Sequence, residues 1–264
     1  MIYFLNELKN RNELLYYFGL LCVIAALVFL LLTKISNAEV AGANAWFKPF
    51  KFALSTFLYA WAMAWYVWYL PSFNTKIFSW SVIILLGFEI LYIAIQAARG
   101  QLSHYNLSNS FYSFMYMCMA LAASAVTIYT AYIGTLFFTN EFPALPLYYL
   151  WGIRLGIFIF VVFSFQGFLM GSRLSHTIGG ADGGPGIPIV NWSTKFGDPR
   201  IAHFIGMHAL QILPLLSFYI LKNSRLIIAA GLLYAALAVF TLVQALQGNP
   251  FIKSKKVYSN EIHS

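Results

Sequence analysis

The feature that most constrains this chain is a series of seven apolar stretches, each about as long as a membrane-spanning helix. A helix rises 1.5 Å per residue, so about 20 apolar residues cross the hydrocarbon core of a bilayer. Of the 264 residues, 61% are hydrophobic and only 9% are charged, whereas soluble domains carry about 25% charged residues. The sequence therefore predicts an all-α fold, a seven-transmembrane-helix bundle that forms a single integral membrane domain. The predicted helices cover approximately residues 14–33, 50–70, 77–97, 111–138, 145–170, 200–221 and 226–247.

The distribution of Lys and Arg predicts the orientation of the bundle. Seven spans place the two termini on opposite sides, with ten cations on the C-terminal side and five on the other. Because cytoplasmic loops carry an excess of Lys and Arg, we expect an outside N-terminus and a cytoplasmic C-terminus. The ten are Lys34, Lys48, Lys51, Arg99, Arg173, Lys195, Arg200, Lys253, Lys255 and Lys256, and the five are Lys9, Arg11, Lys76, Lys222 and Arg225.

The net charge of +8 fits contact with lipid headgroups better than contact with nucleic acid. No run of basic residues is interleaved with aromatic residues in the way that nucleic-acid binding requires. Membrane lipids are therefore the expected partners, and DNA and RNA are not.

One connection, residues 171–199, is longer than the others and rich in glycine, with the sequence GGADGGPG at 179–186. Long loops without periodicity are usually functional or disordered. The segment lacks the Gly-Lys-Ser/Thr ending of a phosphate-binding loop, but its backbone amides could still surround an anion. A flexible connector is the alternative interpretation.

Polar residues inside the predicted helices concentrate toward the C-terminal side. Glu89 lies about eight residues before the end of the third helix, roughly 12 Å deep. His208 lies at a similar depth in the sixth helix, and His203 lies closer to its start. Since an intramembrane charge usually faces a partner or water, we predict that Glu89 and His208 face one hydrated cavity. Glu89, His203 and His208 are the candidate catalytic residues, although interhelical pairing would also explain them.

Further basic and polar residues are expected around the mouth of this cavity. Lysine and arginine bind anionic groups through charge-assisted hydrogen bonds, and histidine can also bind a metal. The candidate ligand-binding residues are Lys48, Lys51, Arg99, His104, Arg173, His176, Arg200 and Gln211. The candidate metal ligands are Glu89, His104, His176 and His208, although the sequence identifies no particular cofactor.

Several short motifs occur together in this chain: GANAWFKPFKFALS at 42–55, SHYN at 103–106, and GIPIVNWST, GDPR and HFIGMHALQ between 186 and 211. In this combination the chain resembles a group of bacterial multi-pass membrane proteins to which no activity is assigned. The resemblance implies a bacterial inner-membrane location and supplies no mechanism.

Three functions remain open at this point. The first is a membrane-embedded enzyme or binding protein for an anionic amphiphile, such as a lipid or a quinone-like molecule. The second is a proton-coupled transporter in which Glu89, His208 and Arg154 form the pathway. The third is a haem- or metal-binding redox protein, in which His104 or His176 joins a histidine of the sixth helix.

Overall fold

A computed structural model describes residues 2–253, and Lys255 and Lys256 of the charge count lie outside them. The described chain forms eight α-helices and one short hairpin made of β1 (Glu39–Val40) and β2 (Ala43–Asn44). The helices are α1 (Ile2–Arg11), α2 (Glu13–Ile35), α3 (Phe47–Val67), α4 (Thr75–Ala98), α5 (Ser110–Thr139), α6 (Leu147–Arg173), α7 (Arg200–Leu216) and α8 (Ser224–Leu246). A π-helical turn, Ser217–Leu221, continues α7 beyond Pro214.

The all-α prediction is confirmed, and six long apolar helices fit a multi-pass membrane protein. These six are α2 and α4 to α8, with α7 counted through Leu221. The remaining predicted span corresponds to α3, which is 21 residues long but less apolar. Its first turns carry Lys48 and Lys51, and it packs against α1, α2, α4 and α7. A helix surrounded by protein needs fewer apolar residues than one surrounded by lipid.

The N-terminal helix α1 is a feature that the sequence analysis missed. It is too short to span a bilayer, and it packs on α2 and α3 instead. Leu8 is fully buried, and the ring of Phe4 stacks on Trp65 at a centroid distance of 5.3 Å. The guanidinium of Arg11 lies 3.8 Å from the centroid of the same tryptophan ring. Aromatic and cation–π contacts therefore hold α1 against the end of α3.

Four helices begin at an asparagine cap. In each case the side-chain oxygen accepts a hydrogen bond from a backbone N–H in the first turn, which otherwise has no partner inside the helix. These caps fix where a loop ends and a helix begins. They are Asn12 before α2, Asn74 before α4, Asn109 before α5 and Asn223 before α8.

Helices α6 and α7 form the most extensive helix pair in the described chain. Gly152 and Gly156 lie four residues apart on α6 and face the α7 backbone. A Cβ atom at Gly156 would lie 2.9 Å from the carbonyl oxygen of Ala209, and one at Gly152 would lie 3.1 Å from that of Leu213. Small residues at this spacing allow two helices to approach closely, as is common in membranes.

The connections at one end of the bundle gather into a single layer, which we call the loop end. It consists of residues 36–46, 99–109, 174–199 and 247–253. Gly42 of the hairpin lies against Gly183, and the ring of Tyr105 contacts that of His176. The Cα of Gly197 lies so close to α8 that a Cβ there would overlap the carbonyl group of Ala245. The glycine-rich loop is thus a packed element of this layer.

Candidate functional site

The carboxylate of Asp182 is the first of two carboxylates that order the loop end through hydrogen bonds. The backbone amides of His176 and Thr177 each donate to it at 2.9 Å, and the hydroxyls of Ser175 and Thr177 donate at 2.9 and 2.8 Å. His176 Nδ1 lies 2.7 Å from Oδ2, and the accepting carboxylate requires this nitrogen to carry the proton. Asp182 therefore fixes both the shape of residues 175–182 and the orientation of the His176 ring.

The same contacts determine the charges of this pair. Burial alone would raise the pKa of Asp182, but hydrogen bonds from His176 and Thr177 hold that pKa well below its usual 3.8. Burial lowers the pKa of His176, with Lys48 and Arg200 acting in the same direction, although the bond to Asp182 opposes the shift. At neutral pH the pair is a carboxylate beside a neutral imidazole.

Asp198 is the second carboxylate that orders the loop end. It precedes α7 and is 1% exposed. Its carboxylate accepts hydrogen bonds from the backbone amide of Ser193 and from the guanidinium of Arg200, the latter at 2.8 Å from Nε. Arg200 also donates to the backbone oxygen of Asn191. This arrangement ties the end of the glycine-rich loop to the first turn of α7 and neutralises the Arg200 charge.

Two lysines in the first turns of α3 bring further positive charge to the loop end. Lys51 Nζ donates to the backbone oxygen of Val190 at 2.9 Å. Lys48 is close enough to His104 and His176 to lower the pKa of both imidazoles. Within residues 2–253, neither lysine forms an ion pair with a carboxylate.

The short connection 99–109 supplies His104 beside these groups. Ser103 Oγ lies 3.1 Å from His104 Nδ1, and the His104 ring packs near Tyr105 and Tyr116. Burial lowers the pKa of His104 well below 6.5, and the nearby Lys48 adds to this effect. His104 is therefore a second neutral imidazole in the site.

Two adjoining cavities open between the hairpin and the glycine-rich loop. The wider one has a volume of about 450 Å³ and is lined by Gly42, Ala43, Phe47, residues 183–189 and Asn191. A smaller, more polar one of about 20 Å³ is lined in part by His176, Asp182, Ser193 and Arg200. The first volume is within the range of small-molecule pockets, and the second suffices for about one water molecule. The two share Gly183, Gly184 and Asn191.

The backbone around these cavities is strained. Ala41, Ile189 and Asn191 have φ angles of 50°, 69° and 54°, and Gly42 and Gly183 also have positive φ. A positive φ is a genuine outlier for a β-branched residue such as Ile189. Strain of this kind costs energy and tends to occur at binding and catalytic sites, which supports a functional role for this layer.

Five of the eight ligand-binding candidates converge at the loop end. The other three do not join this group. Arg99 and Arg173 lie at the same end of the bundle, but their side chains are exposed at the ends of α4 and α6 and form no hydrogen bond or ion pair in the described chain. Gln211 lies deeper, and its Oε1 is 3.3 Å from His208 Nδ1. The five that converge are Lys48, Lys51, His104, His176 and Arg200.

The structure does not bring the three catalytic candidates together. Glu89 is buried on α4, which packs against α2, α3 and α5 rather than against α7. His203 donates from Nδ1 to the Phe163 oxygen at 2.7 Å and so joins α7 to α6. His208 contacts Gln211 and the ring of Phe204 on its own helix. None of these contacts within the described chain joins Glu89 to His208, and the cavity between them stays a prediction.

The metal candidates are separated in the same way. His104 and His176 lie at the loop end, whereas Glu89 and His208 lie on helices that do not pack against each other. Across residues 2–253, no three His, Cys, Asp or Glu side chains are grouped in a way that could hold a metal ion.

Asp182 is the main site residue that the sequence analysis did not select. It lies in the middle of the glycine-rich segment, six residues after His176. The signal was present in the Ser-His-Thr sequence at 175–177, because hydroxyl side chains followed by a nearby Asp favour local side-chain-to-backbone hydrogen bonds.

We expect the stability of the loop end to fall as the pH is lowered through about 6.5 toward 5. His104 and His176 have native pKa values below the usual 6.5, so an opened loop end binds protons in a range where the packed one does not. The contribution of these histidines to the free energy of opening the loop end is therefore fully present above pH 6.5. Below pH 6.5, each histidine lowers that free energy by up to about 1.4 kcal/mol per pH unit. Protection factors of the amides of residues 174–199, taken from hydrogen exchange at pH 8 and pH 5, measure the change.

The matched control for this pH effect is His104→Gln combined with His176→Asn. The double variant is expected to show little change between pH 8 and pH 5 in its protection factors, which are corrected for the intrinsic pH dependence of amide exchange. An unchanged pH response in the double variant would show that other groups cause it.

No protein-family model, curated protein or solved structure matches this chain.

Proposed function

We propose that this protein is a membrane-embedded binding protein for an anionic amphiphile, whose charged head lies at the loop end. The observation that carries the proposal is the pair of lysines on α3, Lys48 and Lys51, which have no carboxylate partner within residues 2–253. The nearby carboxylates are already engaged, Asp198 by Arg200 and Asp182 by its loop donors. Placing two partly buried lysines without a direct ion-pair partner is costly for their charged forms, and an anionic head would supply the missing partner.

The shape of the site supports an amphiphile over a simple ion. The wide cavity is lined by Phe47, the residue next to Lys48, and by Ile187, Pro188 and Ile189 of the glycine-rich loop. An apolar chain or ring would contact these side chains, while the head would reach the lysines. Since the lining residues belong to the loop end and to the first turn of α3, the ligand would enter at the level of the lipid headgroups.

The proposal includes a membrane orientation. We propose that α3 is a seventh span and that the loop end faces the cytoplasm, in a bacterial inner membrane. The length of α3, 21 residues, is sufficient to cross the hydrocarbon core. Of the 14 Lys and Arg within residues 2–253, eight lie on the loop-end side of the bundle, which favours a cytoplasmic location for the loop end.

The alternatives receive less support from the geometry. In a proton-coupled transporter Arg154 would extend the polar pathway outward. However, its Nε donates to the Phe137 oxygen at 2.8 Å, and its guanidinium lies over Phe138 and Trp151. The Arg154 side chain therefore stabilises the C-terminal end of α5, as cations near helix ends often do.

A haem held by two histidines would need His203 or His208, which form hydrogen bonds to other helix residues.

We expect Lys48→Gln combined with Lys51→Gln to weaken binding of phosphatidylglycerol roughly a hundredfold or more, because each lost charge-assisted contact contributes about 1.5–3 kcal/mol. Purified protein is titrated with phosphatidylglycerol in phosphatidylcholine nanodiscs, and bound lipid is counted by native mass spectrometry. Binding of phosphatidylcholine should be the same in both proteins.

The control is Lys76→Gln combined with Lys222→Gln, which removes the same charge from exposed sites at the opposite end. Its affinity for phosphatidylglycerol should match that of the wild type. Glycerol phosphate, the head without its chains, should bind more weakly than the lipid. Equal losses in the two double variants would contradict the site, and equal affinity for head and lipid would contradict the amphiphile.

A further inference from the structure

Helix α4 carries a stripe of buried polar side chains that the proposed binding site does not use. Glu89, Tyr92 and Gln96 fall within an arc of about 60° on the helix. They are 2%, 6% and 1% exposed. The atoms Glu89 Oε1, Tyr92 OH and Gln96 Oε1 are each buried and have no hydrogen-bond partner in the described chain.

Three orphaned polar atoms on one stripe need a common explanation. Leaving a buried polar group without a partner costs about 1–3 kcal/mol for each group, and native proteins rarely contain such groups without a bound partner. The cluster around Tyr92 includes Ile93 and Met119, with Phe52 of α3 packed against it. These apolar neighbours cannot supply hydrogen bonds.

The stripe is continuous with the loop end. Gln96 Nε2 donates to the backbone oxygen of Leu102 at 3.1 Å, which ties the end of α4 to the connection 99–109. The next two residues, Ser103 and His104, are hydrogen-bonded to each other and belong to the loop-end site. The polar line therefore extends from Glu89 through Gln96 to His104.

From this arrangement we infer that α4 binds a file of ordered water molecules that connects Glu89 with the loop-end site. Water is the ligand that satisfies a donor, an acceptor and a carboxyl group without a fixed geometry, and buried water typically bridges otherwise unpaired polar groups in this way. The seven-residue separation between Glu89 and Gln96 corresponds to about 10.5 Å along the helix, a length that a few water molecules cover.

This water file gives Glu89 a role that does not require contact with His208. A carboxyl group beside water that reaches the loop end can exchange protons with that end. The inference is independent of the amphiphile, because it depends on α4 and the connection 99–109 and not on Lys48 or Lys51.

Radiolytic labelling tests the inference by comparing tyrosines of equal burial. Brief X-ray irradiation of the purified protein forms hydroxyl radicals from bound water, and mass spectrometry measures oxidation of the side chains beside it. Tyr92, Tyr59 and Tyr66 are 6%, 5% and 4% exposed. The hydroxyls of the last two are paired, with Thr130 at 2.7 Å and with the Leu210 oxygen at 2.8 Å.

We expect Tyr92 to be oxidised about fivefold faster than Tyr59 and Tyr66, because ordered water lies beside it. Tyr66 is one residue from the end of α3, whereas Tyr92 is six residues from the end of α4, so closeness to a helix end would favour Tyr66 instead. Equal oxidation of the three tyrosines in the wild-type protein would overturn the inference.

A double variant tests whether the water lies beside Glu89 and Gln96. Glu89→Leu combined with Gln96→Leu should reduce the oxidation rate of Tyr92 to that of Tyr59, because the polar atoms on both sides of it are removed. Unchanged labelling of Tyr59 and Tyr66 shows that this variant keeps its fold. A Tyr92 rate that stays high while both control tyrosines remain unlabelled would contradict the water file.

Discussion

Replacing Asp198 with Ala should lower the free energy of unfolding by about 3 kcal/mol, since removal of one partner leaves the other charge buried and uncompensated. The Asp198 side chain is fully buried, and that of Arg200 is 24% exposed, which places the effect at the low end of the range for buried pairs. The amide of Ser193 also loses its acceptor. Titration with sodium dodecyl sulfate in mixed micelles, followed by tryptophan fluorescence, measures the change.

A double variant separates the lost ion pair from other effects of this substitution. Adding Arg200→Met to Asp198→Ala removes the uncompensated cation, so the double variant should recover part of the lost stability. If the effects of the two substitutions simply add, the ion pair is not the source of the loss. Glu39→Gln, an exposed position in β1, should change stability little.

A second large effect is expected at the interface of α6 and α7, where Gly156→Leu should destabilise the protein by about 3 kcal/mol through overpacking. The first added carbon would lie 2.9 Å from the Ala209 carbonyl oxygen and 3.3 Å from Pro214 Cδ. Because these atoms belong to the backbone and to a proline ring, neither can move aside by changing a rotamer. The helices must therefore separate, and the same detergent titration measures the cost.

Gly87→Leu on α4 is the matched control. A Cβ at Gly87 would meet only Phe18 Cε2, at 3.9 Å, which is ordinary van der Waals distance. Its stability should stay within about 1 kcal/mol of the wild type, since leucine is also the better helix former. Similar losses in the two variants would mean that the close approach of α6 and α7 is not the cause.

Much of the fold could be predicted from the sequence because membrane length and helix rise constrain apolar stretches strongly. All seven predicted stretches are helical, and their ends differ from the observed ones by a few residues. Capping by Asn12, Asn74 and Asn109 explains several of the observed starts. The helix α1 was not predicted because it is stabilised by contacts with α3, and a hydropathy pattern does not report such contacts.

The candidate site could be predicted only in part. The concentration of Lys48, Lys51, His104, His176 and Arg200 at one end follows from counting helices, because alternate connections must lie on the same side. Helical periodicity gives the face on which a residue lies but not the helix that covers that face.

The same limitation applies to the predicted pairing of Glu89 with His208. Their depths were inferred from the sequence, yet the order of helices around the bundle places α4 beside α2, α3 and α5. Asp182 was missed because its role depends on local turn geometry rather than on periodicity.

The enclosure of α3 by other helices has a consequence for biogenesis. During insertion an emerging segment is selected by its own affinity for lipid, and lysines lower that affinity. With Lys48 and Lys51 in its first turns, α3 gains its stability from neighbours, above all from α2, its most extensive partner. In the seven-span arrangement that we propose, α2 is therefore integrated first and α3 enters the bilayer as its companion.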